Sequence, residues 1–242
     1  MPNRAPALCV GGVEGRSARP VQAVLFDLDG TLLDTVADIS SALNRALAEE
    51  SLPPLPQSMV RTLIGGGVPA LIERTAARLA AAGKAPDARR LLERFDFHYA
   101  RLTERGESQT RAYPGVGAGL AGLHALGLPL AVVTNKPRTT SVELLYRLGL
   151  GQWITVVVGG DSGLPRKPHP EPLLRACEEL EALPVHGLMV GDSLTDVLAA
   201  RAAGLAVVCV PYGYNEGADP RVLPCDGFIE SVGELPALLT AT

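Results

Sequence analysis

Short apolar runs without polar alternation recur along this chain of 242 residues, and they constrain its fold more than any other feature. They fall at residues 23–26, 128–133, 154–158, 187–190 and 206–210, with a weaker run at 227–229. A strand wetted on one face alternates apolar with polar residues, whereas a strand covered on both faces does not. Between the runs lie helical apolar patterns at 116–126, 140–148, 172–183 and 195–203. Strand–helix alternation of this kind predicts parallel βαβ units, hence an α/β fold built on a doubly wound, Rossmann-like parallel sheet. The hydrophobic fraction of 47% supports a filled core and argues against disorder.

The stretch between the first and second runs breaks the rhythm. From about 36 to 111 the pattern contains helices and no convincing strand. Val36, Ile39, Leu43, Ala46 and Leu47 form one apolar stripe, and Leu91, Leu92, Phe95, Tyr99 and Leu102 form another. Leu71, Ile72, Ala76 and Leu79 supply a third. That is far more chain than a βα connection needs, so residues 35–111 are expected to pack as an inserted all-helical unit. The remaining core comprises 21–34 and 112–242, with hinges near 34–35 and 111–115. Residues 1–20 contain Arg4, Arg16 and Arg19 among glycine and proline but no apolar signal segment, and are read as a mobile tail.

The first run ends abruptly in Asp27-Leu28-Asp29-Gly30-Thr31. Both carboxylates then stand at the C-terminal end of a strand, where open α/β sheets bind ligands. Acids held that close repel unless a proton or cation lies between them. A hard divalent ion with substrate phosphate suits such a site, and Mg²⁺ is the expected cofactor. The competing reading is an Asp-Gly turn whose aspartates only cap backbone. Three more strings follow in order: Val132-Val133-Thr134-Asn135, then Lys167 within Arg166-Lys167-Pro168-His169-Pro170, then Gly191-Asp192-Ser193-Leu194-Thr195-Asp196.

These four strings resemble the motifs of the haloacid dehalogenase-like superfamily of aspartate-nucleophile phosphotransferases. The resemblance covers 21 to about 239 and implies that the helical insert is a mobile cap over the active site. It implies Asp27 as nucleophile and Asp29 as general acid-base, with Lys167 neutralising Asp27 and the transferring phosphoryl group. Asp27, Asp192 and the backbone carbonyl of Asp29 would hold the metal, and Asp196 would position Lys167 or a metal-bound water. Gly30 would let backbone approach phosphate, Thr134 would offer it a hydroxyl and an N–H, and Asn135 would bind phosphate or orient the nucleophile loop, or else only form the turn after its strand. Lys136 is a second cation near the pocket without an assigned role.

The presence of Asp29 separates phosphate chemistry from the dehalogenase branch of the superfamily. Further strings, Val133-Thr134-Asn135-Lys136-Pro137, Gly159-Gly160-Asp161 and Tyr212-Gly213-Tyr214-Asn215-Glu216-Gly217, look like its phosphoglycolate phosphatases. So does Leu63-Ile64-Gly65-Gly66-Gly67, whose glycines are candidates to cradle a small anion, or to make a plain helix–helix turn. The resemblance thus implies a phosphatase of a small monoester, with 2-phosphoglycolate as leading substrate. Its alternatives are a phosphatase of another sugar phosphate, a mutase of the β-phosphoglucomutase kind, and a non-catalytic phospholigand sensor.

A net charge of −4 argues against nucleic acid or an anionic membrane as partner, so an anionic substrate needs a local positive site. The expected partner is a small phosphorylated metabolite, with the chain a monomer or homodimer. No apolar stretch is long enough for a membrane span. Cys9, Cys177, Cys209 and Cys225 lack metal-ligand spacing, and Cys177 and Cys209 read as buried thiols, which fits a reducing cytoplasm. His98, His124, His169 and His186 have no partner at ligand spacing and no part in the proposed chemistry.

Overall fold

The computed structural model describes residues 7–10, 17–84 and 86–240. β1 (Ala7–Val10) and β2 (Ser17–Pro20) form an antiparallel pair of their own. This pair lies within the stretch read from sequence as a mobile tail; four residues per strand are too few for a periodic signal. Residues 1–6 and 11–16 of that tail lie outside the described residues.

The chain continues through β3 (Ala23–Phe26), β4 (Leu33–Asp34), α1 (Val36–Glu49), α2 (Gln57–Arg61), α3 (Val68–Ala81) and α4 (Ala88–Glu104). It then returns through β5 (Arg111–Ala112), α5 (Val116–Ala125), β6 (Leu130–Val133), α6 (Arg138–Arg147) and β7 (Val156–Val158). The last elements are α7 (Glu171–Glu179), β8 (Gly187–Gly191), α8 (Leu194–Ala203), β9 (Ala206–Cys209), β10 (Gly227–Phe228) and α9 (Leu235–Thr240).

Six strands make one all-parallel sheet in the order β10-β9-β8-β3-β6-β7. Successive residues of a strand point to opposite faces, and both faces are covered here. Val24 and Phe26 pack with Leu120 of α5, Leu144 of α6 and Leu239 of α9. Ala23 and Leu25 pack on the other side with Leu173 of α7 and Val197 of α8. The apolar runs therefore lack polar alternation because neither face meets water. The chain crosses from β3 outward to β6 and β7, then returns to the other side of β3 for β8, β9 and β10. The switch point lies at the C-terminal ends of β3, β6 and β8, where a crevice opens. Among the strings read as helices, the one at 172–183 stops earlier, at Glu179, because Glu181 takes a left-handed φ of 54° that ends the turn.

The insert is a helical cap. α1 to α4 enclose their own core, in which Leu43, Leu47, Leu71, Leu79, Leu91 and Phe95 are buried. Ala76 and Leu92 of the expected stripes are only half-buried. The two chain crossings between cap and core pair with each other as β4 and β5, Leu33 opposite Ala112 and Asp34 opposite Arg111. Asp38 of α1 fixes the returning crossing, accepting from Gln109 N at 2.7 Å and from Thr110 Oγ1 at 2.6 Å. No helix among the described residues is long and apolar enough to cross a membrane.

Candidate active site

The ends of β3, β6 and β8 bring together residues far apart in sequence. Lys167, on the loop before α7, donates to Asp27 Oδ1 at 2.7 Å, to Asp196 Oδ1 at 2.7 Å and to the Val133 carbonyl at 2.6 Å. All three side chains are buried, so the ammonium meets its full set of acceptors away from water. Burial works against the Lys167 charge, but Asp196 and Asp27 outweigh it and hold the group protonated above its ordinary range. Asp27 responds oppositely. Burial raises it most, Lys167 pulls it back, Asp196 raises it again, and the carboxyl is pushed up to about 7.

Asp192, at the end of β8, accepts from Thr31 Oγ1 at 3.0 Å and from Tyr214 N at 2.6 Å. Burial, with Asp27 and Asp196 nearby, pushes its carboxyl well above the usual range. Asp196 completes a capping box at the start of α8: its Oδ2 accepts from Ser193 N at 3.2 Å, and also from Ser193 Oγ at 2.7 Å, while its Oδ1 accepts from Lys167. Oxygens of Asp27, Asp192 and Asp196 lie within 4.8 Å of one another. Three desolvated acids against one shared lysine leave a net negative cluster, which is the donor set a hard divalent cation prefers. Asp29 stands apart from this cluster; its carboxylate pairs with Lys136 Nζ at 3.2 and 3.3 Å.

Three expectations change in detail. Thr134 N–H is not free for phosphate, because the ladder with β7 runs one residue further and it donates to the Val158 carbonyl at 3.0 Å. Thr134 Oγ1 accepts from Lys136 N at 3.2 Å, which leaves its hydroxyl proton available. Gly30 likewise donates to the Leu33 carbonyl at 2.9 Å. Its φ of 94° and a position where a Cβ would meet Asp192 Oδ2 explain why glycine stands there. Asn135 gives its amide to the Lys167 carbonyl at 3.0 Å, tying the lysine loop rather than the nucleophile loop.

The cap closes a cavity of about 560 Å³ over these groups. Its roof carries Ile39, Ile64, Leu71, Phe95 and Tyr99, and Gly65, Gly66 and Gly67 edge it. No histidine lines it. All three glycines have positive φ, and a Cβ on Gly67 would lie 2.9 Å from the Asn135 carbonyl oxygen. The turn and its close packing on the core therefore already require glycine. Arg74 holds this loop through the Leu63 and Gly65 carbonyls, both at 3.0 Å, and reaches Glu216 of the core at 2.7 Å.

Sequence reasoning left three contributors without a role. Tyr214 joins Asp192 to the first crossing, its hydroxyl accepting from Thr35 N at 2.8 Å and donating to Asp34 Oδ1 at 2.9 Å. Tyr99 read only as part of a core stripe, yet its phenol reaches the cavity. Lys136 is buried against Asp29, and its place directly after the Thr134-Asn135 string was the available signal.

Residues 24–210 match the family model of haloacid dehalogenase-like hydrolases. Over 223 residues the chain is 48% identical to a plasmid-borne phosphoglycolate phosphatase of Cupriavidus necator, covering 91% of this chain and 94% of that one. It is 45% identical over 221 residues to a phosphoglycolate phosphatase of Nitrosospira multiformis, covering 91% and 96%. Among solved structures, a predicted phosphoglycolate phosphatase from Haemophilus somnus superposes with a TM-score of 0.83 at 32% identity, covering 90% and 97%. The chain belongs to the haloacid dehalogenase-like hydrolase family.

Proposed function

We propose that this phosphoric monoester hydrolase converts 2-phosphoglycolate to glycolate and phosphate, through an aspartyl-phosphate formed on Asp27. The observation that carries the reading is the meeting of Asp27, Lys167 and Asp196 in 2.7 Å contacts at the sheet's switch point, with Asp29 one residue beyond the nucleophile. An Asp27 oxygen attacks phosphorus, the bond from phosphorus to the ester oxygen breaks, and Asp29 gives its proton to the departing alkoxide. Asp29 then takes a proton from the water that attacks the aspartyl-phosphate, releasing inorganic phosphate and restoring the Asp27 carboxylate. Lys167 balances negative charge on Asp27 and on the transferring phosphoryl group, and the Thr134 hydroxyl is free to donate to a phosphate oxygen. Asn135 and Asp196 hold Lys167 in place.

The buried acids fit Mg²⁺, because burial drives the carboxyls of Asp27 and Asp192 upward and a divalent cation relieves that cost. Asp27, Asp192 and the main-chain carbonyl of Asp29 would hold it. A bound divalent ion supplies neutralisation of phosphoryl charge. We take the cap as residues 35–111 and the core as 21–34 with 112–242, so that core residues do the chemistry and the cap closes over the alcohol. What supports glycolate as that alcohol is the likeness to enzymes named for phosphoglycolate.

The test is a screen of the purified enzyme across phosphate monoesters with Mg²⁺ and with EDTA. Steady phosphate release, highest kcat/KM on 2-phosphoglycolate and loss with EDTA are expected. Preference for another monoester would move the substrate. Isomerisation of a sugar phosphate primed by its bisphosphate, with negligible phosphate release, would make the protein a mutase. No turnover of any monoester would leave a phospholigand sensor.

A further inference from the structure

We propose that Lys136 and Tyr99 form a carboxylate subsite beside Asp29, so that the site selects monoesters whose alcohol carries an acid one carbon from the ester oxygen. The inference rests on the phosphatase reading above and assigns its selectivity to two side chains.

Two cations line the cavity, Lys136 and Lys167. Lys167 commits its ammonium to three acceptors at 2.6 to 2.7 Å. Lys136 is as deeply buried, yet among the described residues its ammonium donates to one side chain, Asp29, at 3.2 and 3.3 Å. An ammonium has three donors, so Lys136 has capacity left. Its Nζ lies 4.6 Å from the centre of the Tyr99 ring, which descends from α4 of the cap. The Tyr99 side chain is more than nine-tenths buried, and among the described residues its hydroxyl has no hydrogen-bond partner. Buried phenols normally find one, so an oxygen supplied from outside the chain is what this pair lacks. A carboxylate meets both needs, one oxygen accepting from the ammonium and the other from the hydroxyl.

Connectivity in the substrate points to the same place. Asp29 must reach the ester oxygen to protonate it. In an α-hydroxy acid phosphate the carboxylate hangs on the carbon that bears this oxygen, so it lies beside Asp29 when the phosphate is on Asp27. A carboxylate placed there needs a cation within reach, and Lys136, paired with Asp29, stands beside it. Other charged groups lining the cavity away from Asp27 and Asp192 are the acids Asp96, Glu104 and Glu143, which cannot take its place.

The experiment compares kcat/KM on 2-phosphoglycolate with that on its neutral amide, 2-phosphoglycolamide, for wild type, Lys136→Met and Tyr99→Phe. Lys136→Met also removes the partner of Asp29, but that loss falls on both substrates and cancels in the ratio. Wild type is expected to favour the acid. Lys136→Met should lower the ratio by roughly 10- to 100-fold, and Tyr99→Phe by about 3- to 10-fold, as hydrogen bonds to a charged group and between a phenol and its acceptor imply. Tyr99→Phe deletes an unpartnered hydroxyl and keeps the ring, so it folds and decides the matter if Lys136→Met does not. A ratio unchanged in every variant that folds overturns the subsite, and movement in Lys136→Met alone removes Tyr99 from it. A wild-type ratio near one overturns the selectivity while leaving the phosphatase reading intact. Hydrolysis of neither compound, nor of any other monoester, would instead sink the phosphatase reading itself.

Discussion

The two walls of the cavity differ in how their side chains are held. On the core wall the charges around the nucleophile are tied from several sides: Lys167 by Asp27, Asp196 and a carbonyl, Asp192 by Thr31 and the Tyr214 amide. These residues stand at strand ends whose register is fixed by a six-stranded ladder. On the cap wall Ile39, Ile64, Leu71 and Phe95 make an apolar stretch, Asp96 and Glu104 also line the cavity, and among the described residues the Tyr99 phenol makes no hydrogen bond. The cap's own core fixes these helices, and only the β4–β5 pair carries the chain across. Groups that must be placed to within a fraction of an ångström sit where backbone hydrogen bonds set their position. Of the pair proposed to read the alcohol, Tyr99 sits on a unit that can be remodelled without disturbing the ladder, while Lys136 stands on the core beside Asp29.

If that division holds, the largest losses come from the core wall. Asp27→Asn is expected to keep the fold and lower kcat by about 10⁴-fold or more, because the first phosphoryl transfer then has no nucleophile. Circular dichroism with phosphate release checks both halves, and retention of a tenth of wild-type kcat would remove Asp27 from that role. Asp29→Asn should cost about 10²- to 10⁴-fold on an alkyl phosphate and less on nitrophenyl phosphate, whose leaving group departs without a proton. Equal losses on both would show that Asp29 supplies something other than that proton.

Legibility in the sequence followed the same line. The sheet could be read because both faces of each strand are covered, so 23–26 and 206–209 appear as uninterrupted apolar runs. The four motifs could be read because each follows such a strand or sits on a stiff loop. What escaped depends on tertiary contact. Lys136 carries no local signal that its ammonium turns to Asp29. Tyr99 obeys helical spacing like any core aromatic, and only the packed cap shows that its hydroxyl overhangs the site. The ladder bond that occupies Thr134 N–H depends on where β7 ends, which periodicity does not fix to one residue.

The walls should also separate on titration. Burial raises the Asp27 carboxyl to about 7 and Asp192 well above its ordinary value. With folded-state values above unfolded ones, the native protein holds extra protons, so metal-free stability falls as pH rises from about 4 through 7. Divalent ligation needs these groups ionised, so added Mg²⁺ should raise Tm more at pH 8 than at pH 5.5. Thermal scans with Mg²⁺ and with EDTA at the two pH values measure this. Equal Mg²⁺ increments would mean that the buried acids do not lose protons on binding.

The smallest expected effect lies on the cap. Gly66 has a φ of 71°, and a Cβ there would lie 3.1 Å from that of Ala70. Left-handed backbone costs a residue with a Cβ about 1–2 kcal/mol, so Gly66→Ala should lower Tm by roughly 2–8 °C at this chain length. That loss follows from the turn alone and says nothing about substrate. The informative quantity is how activity divides. If the loop's amides approach the glycolate end of the substrate, kcat/KM on 2-phosphoglycolate falls a few-fold further than on nitrophenyl phosphate, since the core wall that attacks phosphorus is unmoved. Parallel losses on the two substrates, with the expected drop in Tm, would leave the three glycines as a turn packed on Asn135, and Lys136 with Tyr99 as the nearer candidates for reading the acid.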